Sequence, residues 1–172
     1  MRLRRGFSLI ELTVVLLILA MVAGSVAVAV REPLHRVGLR GALDDLAEFD
    51  HLTRTYAREQ DRPVVLVFDL DAGLIRRMDE TGRTELGVPL RLPADYRIVR
   101  LRAGTDDWRS GQTVLAVSAL GLTPTYAVLL AGPGPRAQWM ALAGLSGQLL
   151  EPKNDTEVDN LFKARQMRPD AR

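Results

Sequence analysis

RGFSLIELTVVLLILAMVAGSVAVAV, residues 5–30, is the stretch that determines what kind of protein this sequence encodes. Its last nineteen residues, 12–30, contain no charged side chain. A helix over residues 7–30 would be about 36 Å long at about 1.5 Å per residue, whereas a hydrocarbon layer is about 30 Å thick. The stretch is therefore long enough and apolar enough to span a membrane as one helix.

Three interpretations of this stretch compete. In the first it is a secretory signal peptide cleaved after Ala27-Val28-Ala29, and in the second it is an uncleaved signal anchor. Neither interpretation has a use for Glu11, because a carboxylate costs up to about 3 kcal/mol at the middle of a membrane helix. In the third interpretation, Glu11 and the residues before it form a specific motif.

Helix capping accounts for part of this motif. The Ser8 hydroxyl is placed to accept the backbone N–H of Glu11, and the Glu11 carboxylate is placed to accept that of Ser8. Phe7 and Leu12 occupy the two positions of a hydrophobic staple, and an acidic residue in the first turn suits the helix dipole. Capping leaves Gly6 and the basic residues before it unexplained.

The ordered string Gly6–Leu12, GFSLIEL, follows a short basic leader and resembles the N-terminal signature of type IV pilins and pseudopilins. The resemblance implies that a prepilin peptidase cuts between Gly6 and Phe7 and that the new amine of Phe7 is methylated. It implies that Glu11 pairs with the N-terminal amine of a neighbouring pilin or pseudopilin subunit during filament assembly. It also implies a single-pass protein of the bacterial inner membrane, with a cytoplasmic N-terminus and a periplasmic C-terminal domain.

Residues 39–57 show the periodicity of a second, amphipathic helical segment. Asp44, Glu48 and His51 fall on its polar face, and we interpret them as solvated residues with ordinary ion pairs rather than as metal ligands. Pro33, which precedes this segment, is expected to bend or restart the helix. The apolar side chains that predict a stripe facing a core recur at spacings of three, four and seven: Leu39, Leu43, Leu46, Phe49 and Tyr56.

Short β-rich runs follow residue 62. Residues 63–70 and 74–78 flank Asp71-Ala72-Gly73, which predicts a β-hairpin. Residues 96–102 alternate in a pattern that places Ile98 and Leu101 on opposite faces of a strand. Three further strands are predicted at Thr113–Val117, Thr125–Ala131 and Ala137–Ala143.

Six or seven short strands after one long helix predict an α+β fold. In this fold a long N-terminal hydrophobic helix continues into the amphipathic helix, which packs on an antiparallel sheet or on two sheets. We predict five segments: a basic leader (1–6), a transmembrane and filament-core helix (7–30), an amphipathic helical arm (31–61), a periplasmic β domain (62–150) and a loosely held polar tail (151–172).

The C-terminal strands show a second, narrower resemblance. Gly121, the strand at 125–131, a Gly/Pro turn, the strand at 137–143 and Gly144 follow one another in that order. This order resembles the H-type minor pseudopilins of type II secretion systems and related minor pilins, in which a glycine turn and two strands ending in another glycine close the domain.

We found no catalytic or cofactor-binding constellation in the sequence. Cysteine is absent, which excludes disulfides, thiol nucleophiles and cysteine-ligated zinc. The two histidines, His35 and His51, both precede the β domain, so no serine there has a plausible histidine base. The polar loop at 104–108 is of the kind that can hold calcium, but we interpret it as a solvated turn. We therefore expect no enzyme activity, no cofactor and no metal.

The charge distribution bears on the choice of partners. The net charge is +2, yet residues 31–172 contain 20 basic and 20 acidic residues, so this part lacks the footprint of a nucleic-acid-binding protein. We expect a minor pseudopilin or pilin that assembles into a short periplasmic filament of a type II secretion system, with prepilin peptidase, other subunits and the inner membrane as partners. The alternative is a minor type IV pilin for pilus assembly or DNA uptake, whose DNA contacts would be Lys163, Arg165, Arg168 and Arg172.

Overall fold

The structure is a computed structural model that describes residues 9–133 and 137–166; the side chains of Glu11, residues 22–37 and residues 164–166 lie outside the description. The chain divides into two compact units, Met1–Val37 and Gly38–Arg172. The described residues form an α+β arrangement with two antiparallel sheets, which confirms the predicted fold class. Their elements are α1 (Leu9–Glu59), β1 (Val64–Asp69), β2 (Leu74–Asp79), β3 (Leu90–Arg91), β4 (Arg97–Ala103), β5 (Asp106–Trp108), β6 (Gln112–Val117), β7 (Tyr126–Ala131), β8 (Ala137–Leu142), β9 (Leu149–Leu150) and α2 (Asp155–Gln166).

Helix α1 contains 51 residues and continues through Pro33. Of the two expectations for this proline, the restart of the helix is therefore wrong. Its predicted polar face is confirmed, because Asp44, Glu48 and His51 are all exposed. The helix ends where Asp61 adopts a left-handed backbone with a φ of 47° and the next N–H bonds back into the last turn. The predicted apolar stripe is also confirmed: Leu39, Leu43 and Leu46 are buried in the core, and Phe49 and Tyr56 are partly buried against it.

The first sheet has the strand order β3-β2-β1-β6, and all its pairs are antiparallel. Strands β1 and β2 form the predicted hairpin. The Asp69 carboxylate accepts the N–H of Ala72 at 2.9 Å in the turn, and Gly73 supplies a positive φ of 59°. Side chains from β1 and β2 alternate between the core, as Phe68 and Ile75 do, and the outer face of the sheet.

The second sheet has the order β5-β4-β7-β8-β9 and is also antiparallel. The regular alternation predicted for residues 96–102 is wrong. The register between β4 and β7 shifts between Ile98 and Arg100, which marks a β-bulge. Because of this extra residue, Ile98 and Leu101 both enter the core instead of lying on opposite faces.

Residues 38–59 of α1 and the inner faces of both sheets share one hydrophobic core. Its largest fully buried side chains include Tyr126 and Phe68, whose rings meet edge to face with centroids 5.7 Å apart. The β strands predicted at 113–117, 125–131 and 137–143 are present as β6, β7 and β8. The sequence did not predict the short strands β3, β5 and β9.

The prediction of a loosely held tail is wrong for Asp155–Gln166, because these residues form α2, which packs on the outer face of the second sheet. Val158 and Phe162 are buried there against Ala127, Trp139 and Ala141. The Asn154 side chain caps the helix by accepting the N–H of Glu157 at 2.9 Å. The sequence suggested no more than a helical turn here, whereas α2 contains twelve residues and needs only two deeply buried apolar side chains.

Two arginines of β4 hold α2 in place. Because of the bulge, both lie on the outer face of the sheet although Ile98 lies in the core. Arg100 donates to the Asp155 carboxylate at 2.8 Å, and Arg102 donates to that of Asp159 at 2.5 Å. The indole N–H of Trp139 also donates to Asp155, at 2.8 Å. Charged contacts thus surround the apolar patch beneath the helix and fix its position on the sheet.

Acid should release α2 from the sheet. The hydrogen bond from Arg102 lowers the pKa of Asp159 below its ordinary value of 3.8, so the contact stabilises docking above pH 3.8 and is lost as the pH falls through the lowered pKa. Trp139 lies beneath α2, and its emission in a Trp108→Phe background should shift to the red over this range. The variant Asp159→Asn should lose part of this pH dependence. An emission spectrum that stays constant while the chain remains folded would contradict the prediction.

Candidate functional site

The N-terminal part of α1 exposes apolar side chains in every direction. Leu9, Ile10 and every residue from 12 to 21 are exposed, with Leu9 at 81% and Leu17 at 63% of their full accessible surface. The hydroxyl of Thr13 donates to the carbonyl oxygen of Ile10 at 2.9 Å, so this polar group is paired within the helix. A helix that is apolar all round must be buried in lipid or against other helices.

Among the residues whose placement is described, no helix combines the length and the apolar character that crossing a membrane requires.

The residues predicted to direct processing and assembly lie at or just before the start of α1. Gly6 and Phe7, the predicted cleavage site, lie outside the described residues, and so does Ser8, the predicted cap. Glu11 lies within α1, although its side chain is not described. The assigned roles of Gly6, Phe7 and Glu11 therefore stay predictions.

A buried polar cluster, which we call the Arg54 network, lies where α1 meets the second sheet. Arg54 and Asp50 are only 3% and 1% exposed, and the Nε of Arg54 donates to the Oδ2 of Asp50 at 2.5 Å. The hydroxyl of Tyr126 donates to the other carboxylate oxygen at 2.9 Å. Arg54 uses its remaining nitrogens on three further acceptors, which are the carbonyl oxygens of Gly121 (3.3 Å) and Gly144 (2.7 Å) and the hydroxyl of Thr123 (2.6 Å).

The charges of this network compensate each other inside the protein. A buried guanidinium is tolerated only when a carboxylate and enough acceptors surround it, and here four acceptor atoms do so. Burial and the negative charge of Asp50 raise the pKa of Tyr126 well above its ordinary value, so its hydroxyl keeps its proton and donates. The network is therefore a structural clamp, and it offers no free acid or base for catalysis.

Gly121 and Gly144 are needed for the close approach of this clamp. Gly121 has a φ of 71°, and a Cβ there would meet the carbonyl oxygen of Arg54 at 2.8 Å. A Cβ on Gly144 would overlap the backbone of Thr123. These are the two glycines of the C-terminal pattern that the sequence singled out, and their carbonyl oxygens both accept hydrogen bonds from one arginine.

Sequence reasoning missed the Arg54 network although one signal was present. Asp50 and Arg54 are four residues apart, and they follow Leu46 at the same spacing along the buried stripe. A charged pair in line with core positions indicates a buried ion pair. Its partners, however, lie 67 to 90 residues further along the chain.

In the loop considered for calcium, one of the two carboxylates, that of Asp107, is already paired with an arginine. Asp107 receives two hydrogen bonds from the Nε of Arg100, at 2.8 and 3.0 Å, and the pKa of Asp107 is lowered by that guanidinium. Among the side chains that the structure describes, no three from His, Asp or Glu form a group that could hold a metal ion.

Comparison with known protein families found one match, at the N-terminus. A family model described as the prokaryotic N-terminal methylation motif matches residues 1–27. The chain carries the type IV pilin and pseudopilin signature. No curated protein and no solved structure matches the sequence. The match covers the predicted cleavage site and Glu11, and it ends well before the β domain.

The pilin signature indicates the processing and the general partners of this chain. It suggests processing by a prepilin peptidase, assembly with other pilin subunits and an N-terminus anchored in a membrane. The exposed apolar residues 9–21 of α1 lie within the matched segment.

Replacing Arg54 should destabilise the β domain strongly. Arg54→Met leaves the buried Asp50 carboxylate without its cation, and we expect a loss of about 3 to 5 kcal/mol in the free energy of unfolding. Urea unfolding of the full chain in mild detergent measures this loss. The double variant Asp50→Asn/Arg54→Met should lose less than the sum of the two single variants.

The matched control is Arg40→Met, on the same helix. Arg40 pairs with Glu151 at 2.9 Å while 62% of its side chain is exposed, so its loss should cost less than about 1 kcal/mol. Equal losses for Arg54→Met and Arg40→Met would mean that the buried network does not stabilise the domain.

Proposed function

We propose that this chain is a minor pseudopilin subunit of a type II secretion system. In this proposal a prepilin peptidase removes residues 1–6 and methylates Phe7, and the mature chain is held in the bacterial inner membrane by its N-terminal helix. The N-terminus faces the cytoplasm and the β domain faces the periplasm. Its role is to assemble with other subunits into a short filament, and it is mechanical and architectural rather than catalytic.

The observation that carries this proposal is the exposed apolar surface of α1 within the matched motif. Residues 12–21 are exposed on all sides of the helix. Such a helix suits a protein that is stored in lipid and later packs against the same helix of its neighbours. An enzyme tethered to a membrane would need the lipid contact but not the ordered residues Gly6, Phe7 and Glu11.

The Arg54 network supports an architectural role for the rest of the chain. It joins α1 to the turn at 118–121 and to Gly144 with hydrogen bonds that a single side chain donates. A subunit that is lifted or pushed by its helix needs its β domain firmly attached to that helix. A buried and fully paired arginine provides such an attachment, because separating the parts would leave charges unpaired in an apolar core.

We take the C-terminal pattern to favour an H-type pseudopilin over other subunit classes, since Gly121 lies close to the backbone of α1 and Gly144 lies close to the backbone of residues 123–125. A minor type IV pilin with a role in pilus assembly or DNA uptake is the alternative. The described part of the tail offers little to DNA, because α2 presents Asp155, Glu157 and Asp159 as well as the exposed Lys163.

The processing step gives a direct prediction. Mass spectrometry of the chain extracted from membranes should show a mature N-terminus at a methylated Phe7, and Gly6→Ala should block or slow cleavage without preventing membrane insertion. A mature N-terminus at Val30 would instead establish the secretory signal peptide cleaved after Ala27-Val28-Ala29.

Glu11→Gln separates the capping role of Glu11 from its assembly role. Glutamine keeps the capping geometry but removes the charge that pairs with a neighbour's amine, so the variant should be cleaved and inserted yet fail to join its partners. Crosslinking in membranes measures association, both with minor subunits and with the filament body. Both readouts are needed because a subunit at the filament tip has no neighbour ahead of it.

Ser8→Ala is the control, since it should cost only about 1 kcal/mol at the helix start and leave assembly intact. Normal assembly of Glu11→Gln together with failure of Ser8→Ala would show that Glu11 is a cap.

A further inference from the structure

The two sheets end in four edge strands, and three of these are protected against pairing with another chain. Strands β3 and β9 contain two residues each, and prolines lie close to both. Strand β5 contains three residues, of which two are aspartates. Short length, nearby proline and negative charge are the usual means by which proteins prevent edge pairing.

Strand β6 is the fourth edge, and it has none of these protections. It extends over six residues, QTVLAV, without a charge or a proline, and its register with β1 is regular from end to end. β-branched and apolar residues on a regular strand favour addition of a further strand. The contrast with the other three edges indicates that β6 is left open for pairing.

The hydrogen-bonding pattern shows which backbone groups β6 offers. Leu70 donates to the carbonyl oxygen of Gly111 at 3.0 Å, which continues the ladder one pair beyond β1 and β6. Because bonded and non-bonded pairs alternate, Thr113, Leu115 and Val117 bond to β1. The N–H and C=O groups of Gln112, Val114 and Ala116 point to the open edge, and within the described residues no hydrogen bond is recorded for them.

The side chains of Val114 and Ala116 form an exposed apolar surface beside the amide of Gln112, which donates to Asp69 at 2.8 Å. Val114 is 55% exposed although it lies opposite the buried Val67, and Ala116 is exposed opposite Val65. The outer face of the second sheet is covered by α2, whereas no described element covers this part of the first sheet. Val114 is therefore an apolar side chain at the centre of an open edge.

We propose that β6 pairs antiparallel with β6 of a second copy of this chain. In the register that we infer, Val114 lies opposite Val114 and Gln112 lies opposite Ala116, which joins two four-stranded sheets into one of eight strands. A second copy fits this edge because every pair in this register is uncharged and the central pair is β-branched. The 20 basic and 20 acidic residues of the segment 31–172 also leave no net charge to repel the copies.

The contact is isologous, because the same patch is used by both copies. It therefore closes after two chains and does not propagate into a fibre. The pair would be a discrete dimer, separate from any head-to-tail assembly that the N-terminal helix directs.

The absence of cysteine allows a direct test on the full chain in its membrane. Val114→Cys introduces the only thiol, and the paired strands would hold two such thiols on Cα atoms about 5.5 Å apart, within reach of a disulfide. After mild oxidation we expect about tenfold more disulfide-linked dimer than from Val88→Cys, because only the paired strand holds its thiols in place. Val88 is the matched control, since it is a valine that is 85% exposed in a loop.

The register has its own test with two differently tagged copies. Gln112→Cys on one copy and Ala116→Cys on the other should crosslink, whereas two Ala116→Cys copies should not, because their Cα atoms would be about 14 Å apart along the strands. Val114→Lys should abolish the Gln112–Ala116 crosslink by placing two charges opposite each other, while Val88→Lys leaves it unchanged.

Three outcomes would overturn the proposal. These are equal crosslinking of Val114→Cys and Val88→Cys, no preference for the mixed Gln112/Ala116 pair, or a Val114 product whose mass is not that of two copies. Because Val114 is exposed, we expect its substitution to leave the chain folded. Circular dichroism of each variant verifies that it is folded.

Discussion

The burial of Arg54 sets a constraint that several distant parts of the chain must satisfy together. A guanidinium inside an apolar core has to have its donors paired, and a single helix cannot supply the acceptors. Asp50 supplies one from the same helix, while Gly121 in the turn before Thr123 and Gly144, two residues after β8, supply carbonyl oxygens. The helix, the turns and Tyr126 can therefore take up only one arrangement. Apolar packing alone would tolerate small sliding of the helix over the sheets, but this network does not.

The parts of the fold that the sequence predicted are those governed by local periodicity. The apolar stripe of residues 39–57, the hairpin around Gly73 and the strands β6, β7 and β8 follow from spacings that are visible within a few residues. The Arg54 network was missed because its acceptors are far away along the chain, and a sequence without alignment does not show which distant carbonyl oxygens meet. The candidate processing residues were recognised by their order, since neither periodicity nor composition indicates a cleavage site.

The error in the predicted alternation of residues 96–102 has one physical origin, which is the β4 bulge. Regular alternation predicted Ile98 and Leu101 on opposite faces, and the extra residue brings both of them into the core. The same shift directs Arg100 and Arg102 to the outer face, where they pair with α2. A tail with few apolar residues is held because these two cations already lie on the sheet. An irregularity that periodicity cannot reveal thus decides whether the last helix has a place to bind.

The bulge also makes the length of β4 matter more than the identity of its extra residue. Val99 has no partner of its own in the ladder with β7, so no cross-strand pair constrains its side chain. Deleting one residue there would restore a simple two-residue period. Either Ile98 would then turn out of the core, or Leu101 would turn out while the two arginines turned inward. In proteins of this fold, the length of β4 should therefore be preserved more strictly than the identity of the residue at position 99.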